Sequence, residues 1–345
     1  MMNRSTPFAR RVLLATLSAA TFLAVAAPAV AQKPFKVVAR WNTGGEGGWD
    51  YLTVDSSAHR LYIAHSARVD VLDLNTGKVI GTVTGLSRTH GVIVAPDGKT
   101  AFVSDGGANS VVAFDTTSFA AIAKIPTGTN PDGMVLEPAT NTLWAFNGGS
   151  RNATVISIAD RKVVGTVALP GRPEFPAADG SGTIFLNLED KNSISRIDAK
   201  SMKVTATWPL AGCAAPSGLA FDAAGSRLFS VCDGKKMAIT DAKTGKQLGL
   251  AAVGEGPDAV GYDAKNRLAF SSNGESGTLT VIDAGKPGYP VAQTLTTQVS
   301  ARTMAFDPAT GRIYLAASEA GKKEPGAKRA TPVPNSFTIL VVGRE

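Results

Sequence analysis

A set of mostly ionisable residues recurs along the chain at a nearly constant spacing. Intervals of 40, 42, 42, 43, 41 and 44 residues separate Asp50, His90, Asp132, Glu174, Ser217, Asp258 and Arg302. Carboxylate oxygens suit hard cations such as Ca²⁺, whereas an imidazole favours zinc or another transition metal. If the fold brings these positions together, they can bind a divalent cation or a small ligand, and His90 could serve as a general base.

A repeat of the same period explains how such positions could converge. Acidic turn residues recur in the same rhythm, as Asp55, Asp97, Glu137, Asp179, Asp222, Asp263 and Asp307. Each unit holds four short apolar runs separated by turn-forming residues. A period in the low forties with four strands per unit is typical of propeller blades. The predicted fold class is therefore all-β, a seven-bladed β-propeller with four-stranded antiparallel blades.

Propeller geometry assigns places to the candidate residues. The innermost strand of a blade begins beside the central channel, so the spaced set should surround the channel mouth. The loop after the second strand opens on the same face and supplies a second ring, which contains His65, Asp105, Asn147, Glu189, Cys232, Asn273 and Glu319. We predict ligand binding by these two rings, with Asp132, Glu174 and Asp258 as the metal ligands. The competing interpretation is that Asp132 and Asp258, each after a proline, only cap backbone N–H groups.

The two ends of the chain are expected to share one blade. The C-terminal unit supplies strands near Thr303 to Phe306, Arg312 to Ala316 and Phe337 to Val342, which is one strand too few. The apolar run from Phe35 to Trp41 can provide the fourth. Such pairing closes the ring and removes open sheet edges that would invite aggregation.

The N-terminus has the pattern of an export signal. Arginines precede an apolar stretch from Val12 to Val25, which is followed by the small-residue sequence Ala29-Val30-Ala31. We therefore predict a cleaved signal peptide at residues 1–31, a single propeller domain at 32–345, and a periplasmic or secreted protein. The later sequence contains no apolar segment long enough to span a bilayer as a helix, so no integral membrane segment is expected after cleavage.

Charge argues against a large polyanion as partner. The formal net charge of the chain is +7, and the leader contributes three arginines without an acidic residue. The mature domain is therefore only moderately basic, which disfavours a broad surface for duplex DNA. Single-stranded nucleic acid stays a third possibility, weakened because the arginines near the loop face are interleaved with acids.

Two cysteines should meet on the loop face. Cys213 lies between the fourth and fifth blades, and Cys232 ends the second strand of the fifth blade. Export to an oxidising compartment makes a disulfide between them the expected outcome.

Several segments resemble a known family. The hairpin VLDLNTGKVIGTV from Val71 to Val83, its echo AITDAKTGKQLG from Ala238 to Gly249, and the openings Asn-Pro-Asp-Gly at 130–133 and Gly-Pro-Asp-Ala at 256–259 look like the YVTN-repeat, YncE-like exported propellers. The similarity covers essentially the whole mature chain, although the repeat's own signature is degenerate. It implies a scaffold of WD-repeat-like form with varied roles.

Two classes of function stay open from the sequence. The first is a non-catalytic, monomeric propeller that binds a small molecule, a metal ion or a partner protein at the loop face. The second is a metal-dependent, lactonase-like hydrolase with His90 as general base. No nucleophilic triad, metalloprotease or nucleotide-binding motif selects the second class.

Overall fold

The computed structural model describes residues 1–2, 33–326 and 330–344. Apart from its first two residues, the leader predicted at 1–31 lies outside them. The described residues contain 28 β-strands and two short 3₁₀ turns, Gly106–Ala108 and Glu189–Lys191. No helix among them is long and apolar enough to cross a membrane.

Seven four-stranded antiparallel sheets form the blades, and six of them consist of four consecutive strands. The strands of blades 1 to 3 are β2 (Trp49–Asp55), β3 (Arg60–His65), β4 (Arg68–Asp73), β5 (Val79–Val83), β6 (Thr89–Val94), β7 (Thr100–Asp105), β8 (Ser110–Asp115), β9 (Ala121–Pro126), β10 (Pro131–Glu137), β11 (Thr142–Asn147), β12 (Asn152–Ser157) and β13 (Lys162–Ala168).

Blades 4 to 6 continue the same order. Their strands are β14 (Pro173–Ala178), β15 (Thr183–Leu188), β16 (Ser193–Asp198), β17 (Lys203–Pro209), β18 (Ala214–Asp222), β19 (Arg227–Asp233), β20 (Lys236–Asp241), β21 (Gln247–Ala252), β22 (Pro257–Asp263), β23 (Leu268–Asn273), β24 (Thr278–Asp283) and β25 (Val291–Thr296). The prediction of a seven-bladed propeller is confirmed.

Blade 7 joins the two ends of the described domain. It contains β26 (Thr303–Asp307), β27 (Arg312–Ala317) and β28 (Thr338–Gly343), and β1 (Lys36–Asn42) pairs antiparallel with β28 on its outer edge. The predicted closure by an N-terminal strand is therefore confirmed. Without β1, the backbone N–H and C=O groups of β28 would form an unpaired sheet edge.

Burial follows the position of a strand within its blade. Every residue of β11 is buried, because neighbouring sheets cover both of its faces. The outermost strand β17 instead alternates between exposed and half-buried residues. The apolar cores lie between adjacent blades: Tyr62 and Val71 of blade 1, for example, pack with Val103 and Phe114 of blade 2. This packing fixes the radial positions of the strands that line the channel.

Hairpin turns in the outer half of the blades use one recurring device. Asp73 Oδ1 accepts hydrogen bonds from the backbone N–H groups of Asn75 and Thr76, and Gly77 follows with φ +71°. The indole of Trp41 lies directly against this glycine, because a Cβ atom there would come within 2.3 Å of the ring. The turn glycine thus provides both the left-handed backbone and the close contact with β1.

Candidate functional site

The channel mouth is shaped by irregularities at the start of the innermost strands. In six of the seven blades the strand pairing shifts register at this point, between Trp49/Leu52, Thr89/Val92, Pro131/Met134, Pro173/Pro176, Pro216/Leu219 and Pro257/Ala259. Such β-bulges interrupt the alternation of side chains and re-aim residues at the end of a strand. Six of the seven predicted mouth residues lie within these bulges or at their edges, and Arg302 directly precedes β26, whose pairing shows no such shift.

Three mouth residues of adjacent blades come together as potential ligands. His90 Nδ1 lies 2.7 Å from Asp50 Oδ2 and 3.6 Å from Asp132 Oδ1. One ligand atom from each of the three residues falls within 4.8 Å of the other two. The imidazole is buried, with 6% of its side-chain surface exposed, and Asp132 Oδ1 is a buried atom without a hydrogen-bond partner among the described residues. We call Asp50, His90 and Asp132 the donor set.

Groups outside the donor set act on both of its carboxylates. Asp50 Oδ1 lies 3.7 Å from the guanidinium of Arg302, while the nearby Tyr51 hydroxyl acts to lower the pKa of Asp132. Outer groups of this kind orient the ligands of metal sites in proteins. The remaining oxygens, Asp50 Oδ2 and Asp132 Oδ1, face the imidazole.

Arg302 is held in place by several partners. Its guanidinium donates to Asp258 Oδ2 at 2.7 Å and to the backbone carbonyl of Trp49, and it lies over the Trp49 ring, 5.8 Å from the centroid. Asp258 therefore pairs with a cation rather than joining the donor set. The sequence grouped Asp258 and Glu174 with Asp132 as metal ligands, whereas the structure places Asp50 and His90 beside Asp132.

Burial and charge alter the proton affinity of the mouth residues. Burial raises the pKa of Asp132 to about 6, against the opposing charge of His90. Burial alone would lower the pKa of His90, but the hydrogen bond to Asp50 and the charge of Asp132 outweigh it and raise the pKa. The pKa of Glu174 is raised well above its ordinary value by burial and by the neighbouring carboxylates. The mouth therefore favours bound protons or another cation.

Two aromatic rings meet across the channel. Tyr51 of blade 1 and Phe175 of blade 4 have centroids 5.0 Å apart, with ring planes inclined at 74°. Gly91 lies next to the Tyr51 ring, since a Cβ atom there would be in van der Waals contact with Tyr51 Cδ2 at 3.4 Å. We call this contact the aromatic bridge. Because both rings directly follow mouth residues in the chain, the bridge lies beside the charged groups of the mouth.

The aromatic bridge was not anticipated from the sequence, although a signal exists. Small residues occupy five of the seven positions that follow the mouth residues, namely Gly91, Gly133, Gly218, Ala259 and Thr303. The other two positions hold Tyr51 and Phe175. Glycine is the commonest residue at this repeat position. The two aromatic side chains depart from the repeat, and they serve the channel rather than the blades.

Several members of the second ring stabilise the loops of their own blades. Asp105 accepts hydrogen bonds from the backbone N–H groups of Ser87 and Arg88. Asn147 donates to Thr154, and Asn273 makes the equivalent bonds in blade 6. None of these three residues belongs to the donor set. Their side chains fix the loops that surround the mouth.

His65 and Glu189 of the second ring are also engaged locally. His65 is fully buried, its Nδ1 lies 2.7 Å from Asp70 Oδ2, and its ring packs on Phe337 at 4.3 Å. Glu189 pairs with the half-exposed guanidinium of Arg172 at 3.0 Å. His65 is therefore not part of the donor set.

The two cysteines form a disulfide at the opening of blade 5. Cys213 and Cys232 have Cα atoms 5.2 Å apart and enclose a sequence separation of 19 residues. Both are buried in the core between blades 4 and 5. The bond fastens the start of β18, which carries Ser217, to the end of β19.

Comparison with known proteins extends the fold assignment and leaves the activity open. No protein-family model and no curated protein sequence matches the chain. Hydrazine synthase from Kuenenia stuttgartiensis is structurally similar, with a TM-score of 0.73 and 17% identity, over 88% of this chain and 98% of that one. The structure of U3-55K is similar with a TM-score of 0.75 and 12% sequence identity, and the match covers 91% of this chain and 99% of that chain. The crystal structure of the RRP9 WD40 repeats also has a TM-score of 0.75 and 12% sequence identity, with 92% of this chain and 99% of that chain covered.

These likenesses span nearly the whole of each matched chain at low sequence identity. At such identities they establish architecture and carry no substrate or partner with them. The chain adopts the seven-bladed β-propeller fold, in a form also found in WD40-repeat proteins.

Proposed function

We propose that this protein is an exported, YncE-like β-propeller whose channel mouth binds a divalent transition-metal ion of the zinc class. The observation that carries the proposal is the convergence of Asp50, His90 and Asp132, with one ligand atom of each within 4.8 Å of the others. An imidazole nitrogen with two carboxylate oxygens is a set that zinc accepts, whereas calcium prefers oxygen alone.

The spacing of the donor atoms supports such an ion. Ligand atoms bound tetrahedrally to zinc at the usual distances lie about 3.4 Å from one another. The two separations from His90 Nδ1, 2.7 Å to Asp50 and 3.6 Å to Asp132, lie on either side of this value. Small rotations of side chains would suffice, because the bulged strands already direct all three groups to one point.

The unpartnered oxygen of Asp132 is a second argument. A buried carboxylate oxygen without a hydrogen bond is costly unless a cation or a proton compensates it. Asp132 Oδ1 is such an atom, and it faces the imidazole across 3.6 Å. A bound metal ion would neutralise both carboxylates and satisfy this oxygen.

We further propose a periplasmic location and a binding role rather than catalysis. The location rests on the leader-like sequence at 1–31, and the binding role on the absence of a nucleophilic motif in the sequence. The carboxylates of the mouth also disfavour nucleic acid, since phosphates would meet Asp50, Asp132, Glu174 and Asp258 at the channel.

A metal-dependent hydrolase is the second candidate, for one structural reason. The donor set offers three protein ligands, which leaves room for water or substrate on a four-coordinate ion, as in catalytic zinc sites. Because His90 Nδ1 faces the donor set, an ion there would take away the role of general base that the sequence assigned to His90. Turnover of a lactone or ester by the zinc-loaded protein, lost in His90→Gln, would favour this candidate.

The proposal is tested by the zinc content of the mature protein. Residues 32–345 would be loaded with excess Zn²⁺, desalted and measured by elemental analysis and native mass spectrometry. We expect one ion per chain in the wild type, none in His90→Gln or Asp132→Asn, and one in Glu275→Gln, which removes an exposed loop-face carboxylate instead. An unchanged content in His90→Gln and Asp132→Asn would overturn the assignment.

A further inference from the structure

We infer that Glu174 and the aromatic bridge of Tyr51 and Phe175 form a second subsite at the channel mouth, which binds the ammonium group of a small organic amine. The inference rests on the proposed function in one respect: the metal ion is taken to occupy the neighbouring donor set. Its own support comes from the charges and rings around Glu174.

Cations balance three of the four carboxylates at the channel mouth and leave the fourth without a compensating charge. A divalent ion bound by neutral His90 balances Asp50 and Asp132, and Arg302 balances Asp258 through the 2.7 Å hydrogen bond. Glu174 is the fourth mouth carboxylate, and no ion pair joins it to a cation among the residues that the structure describes. A single positive charge is therefore what the site lacks, which fits a monovalent ammonium group better than a second divalent ion.

The groups that face Glu174 are mostly negative. Asp132, Glu189 and Asp258 act on it with the same sign of charge, and the charge of Arg172 opposes them. The guanidinium of Arg172 is already paired with Glu189 at 3.0 Å. Burial and these neighbours raise the pKa of Glu174, so the ionised carboxylate gains strongly from a nearby cation.

The rings explain why an organic cation is preferred over an inorganic one. Phe175 follows Glu174 directly in the bulged start of β14, and its ring meets Tyr51 at 5.0 Å. Aromatic rings attract an ammonium group and also cover its methylene chain, and such cation–π contacts strengthen when they are desolvated. Acid and ring thus complement the two parts of a protonated alkylamine.

The test uses 1-aminobutane as the probe, at pH 8, where an alkylammonium with a pKa near that of lysine, about 10.4, stays charged. Binding would be measured by calorimetry on the mature protein, both metal-free and zinc-loaded. We expect binding in both states, at least tenfold weaker in Glu174→Gln and about threefold weaker in Phe175→Leu. Glu275→Gln, the matched charge control, should bind as the wild type does.

Two further probes separate the contributions. 1-Butanol has the same chain without the charge and should not bind detectably, while ammonium ion has the charge without the chain and should bind at least threefold more weakly than 1-aminobutane. Equal binding of ammonium and 1-aminobutane, or unchanged affinity in Glu174→Gln, would overturn the subsite. Thermal unfolding of both variants would show that they remain folded.

Failure of this inference can be told apart from failure of the metal proposal. Zinc affinity of Glu174→Gln, measured without amine, should stay within about threefold of the wild type, because Glu174 lies outside the donor set. If zinc binds and the amine does not, only the ammonium subsite is wrong. If the amine binds metal-free protein and zinc does not bind, the donor-set proposal fails and the subsite stands.

Discussion

The zinc affinity of the channel mouth should fall steeply as the pH is lowered from 7 to 5. Protons and metal ions compete for the same atoms, because a ligand must be deprotonated before it binds metal. Both Asp132 and His90 have raised pKa values in the folded protein. Each therefore holds its proton at a higher pH than it would in an unfolded chain, and lowering the pH returns protons to the site.

The size of the effect follows from these values. With the pKa of Asp132 at about 6, its ionised fraction falls from about nine-tenths at pH 7 to about one-tenth at pH 5, a tenfold loss. His90 must also lose a proton from Nδ1, and its raised pKa acts in the same direction. Asp132 alone should therefore weaken zinc binding by about tenfold between pH 7 and pH 5, or roughly 1.4 kcal/mol, and His90 adds to this loss.

Calorimetric titration with Zn²⁺ at pH 5, 6 and 7 measures this dependence directly. Repeating the titration in buffers of different ionisation enthalpy gives the number of protons released. The Asp132→Asn variant should bind more weakly at pH 7 and lose affinity less steeply below it, since an amide has no proton to release. Glu275→Gln should keep the dependence of the wild type.

Two results would refute this reasoning. Equal zinc affinity at pH 5 and pH 7 would mean that no titrating ligand takes part. Persistent binding in Asp132→Asn with an unchanged pH dependence would mean that zinc binds elsewhere.

Three further predictions concern the framework of the site. Gly106→Ala would place a Cβ atom 2.7 Å from His90 Nε2, so calorimetry should show zinc affinity reduced at least tenfold, while Gly48→Ala, with open space around the new Cβ, should bind normally. Replacing Cys213 and Cys232 by serine should lower the free energy of unfolding in urea by about 3 kcal/mol, because the bond spans 19 residues; an equal midpoint with and without reductant would contradict this. Removing residues through Asn42 should expose the edge of β28, and size-exclusion chromatography should then show aggregates, whereas a stable monomer would mean that β1 is dispensable.

Much of the fold could be read from the sequence because propeller blades repeat at a fixed period. The spacing of Asp50, His90 and Asp132 follows from that period alone, and it correctly located these residues at equivalent points of adjacent blades. The closing strand could be inferred because the last unit lacked one of its four apolar runs.

The pairing of side chains within the mouth could not be predicted in the same way. Equivalent backbone positions do not determine which groups meet, since reach and direction depend on the local bulge and on side-chain length. The long side chain of Arg302 reaches Asp258 in the preceding blade and so withdraws that carboxylate from the donor set. Tyr51 crosses to Phe175, a contact between blades 1 and 4 that no local pattern contains.

The second ring contains polar residues at positions that suggested ligands but that stabilise loops instead. Asp105 and Asn147 occupy positions that face the ligand side, yet their side chains bind nearby backbone and hydroxyl groups. Short polar side chains next to a turn usually find such local partners. Sequence spacing alone could not distinguish these residues from ligands.

The most direct test of the account is a nitrogen-15 NMR titration of the histidine side chains with Zn²⁺. The chain has only three histidines, so each ring can be assigned with a single variant. We expect the Nδ1 signal of His90 alone to shift to a metal-bound position at one equivalent, while the rings of His59 and His65 stay unchanged. Saturation with zinc without a change at His90 Nδ1 would contradict the proposed site.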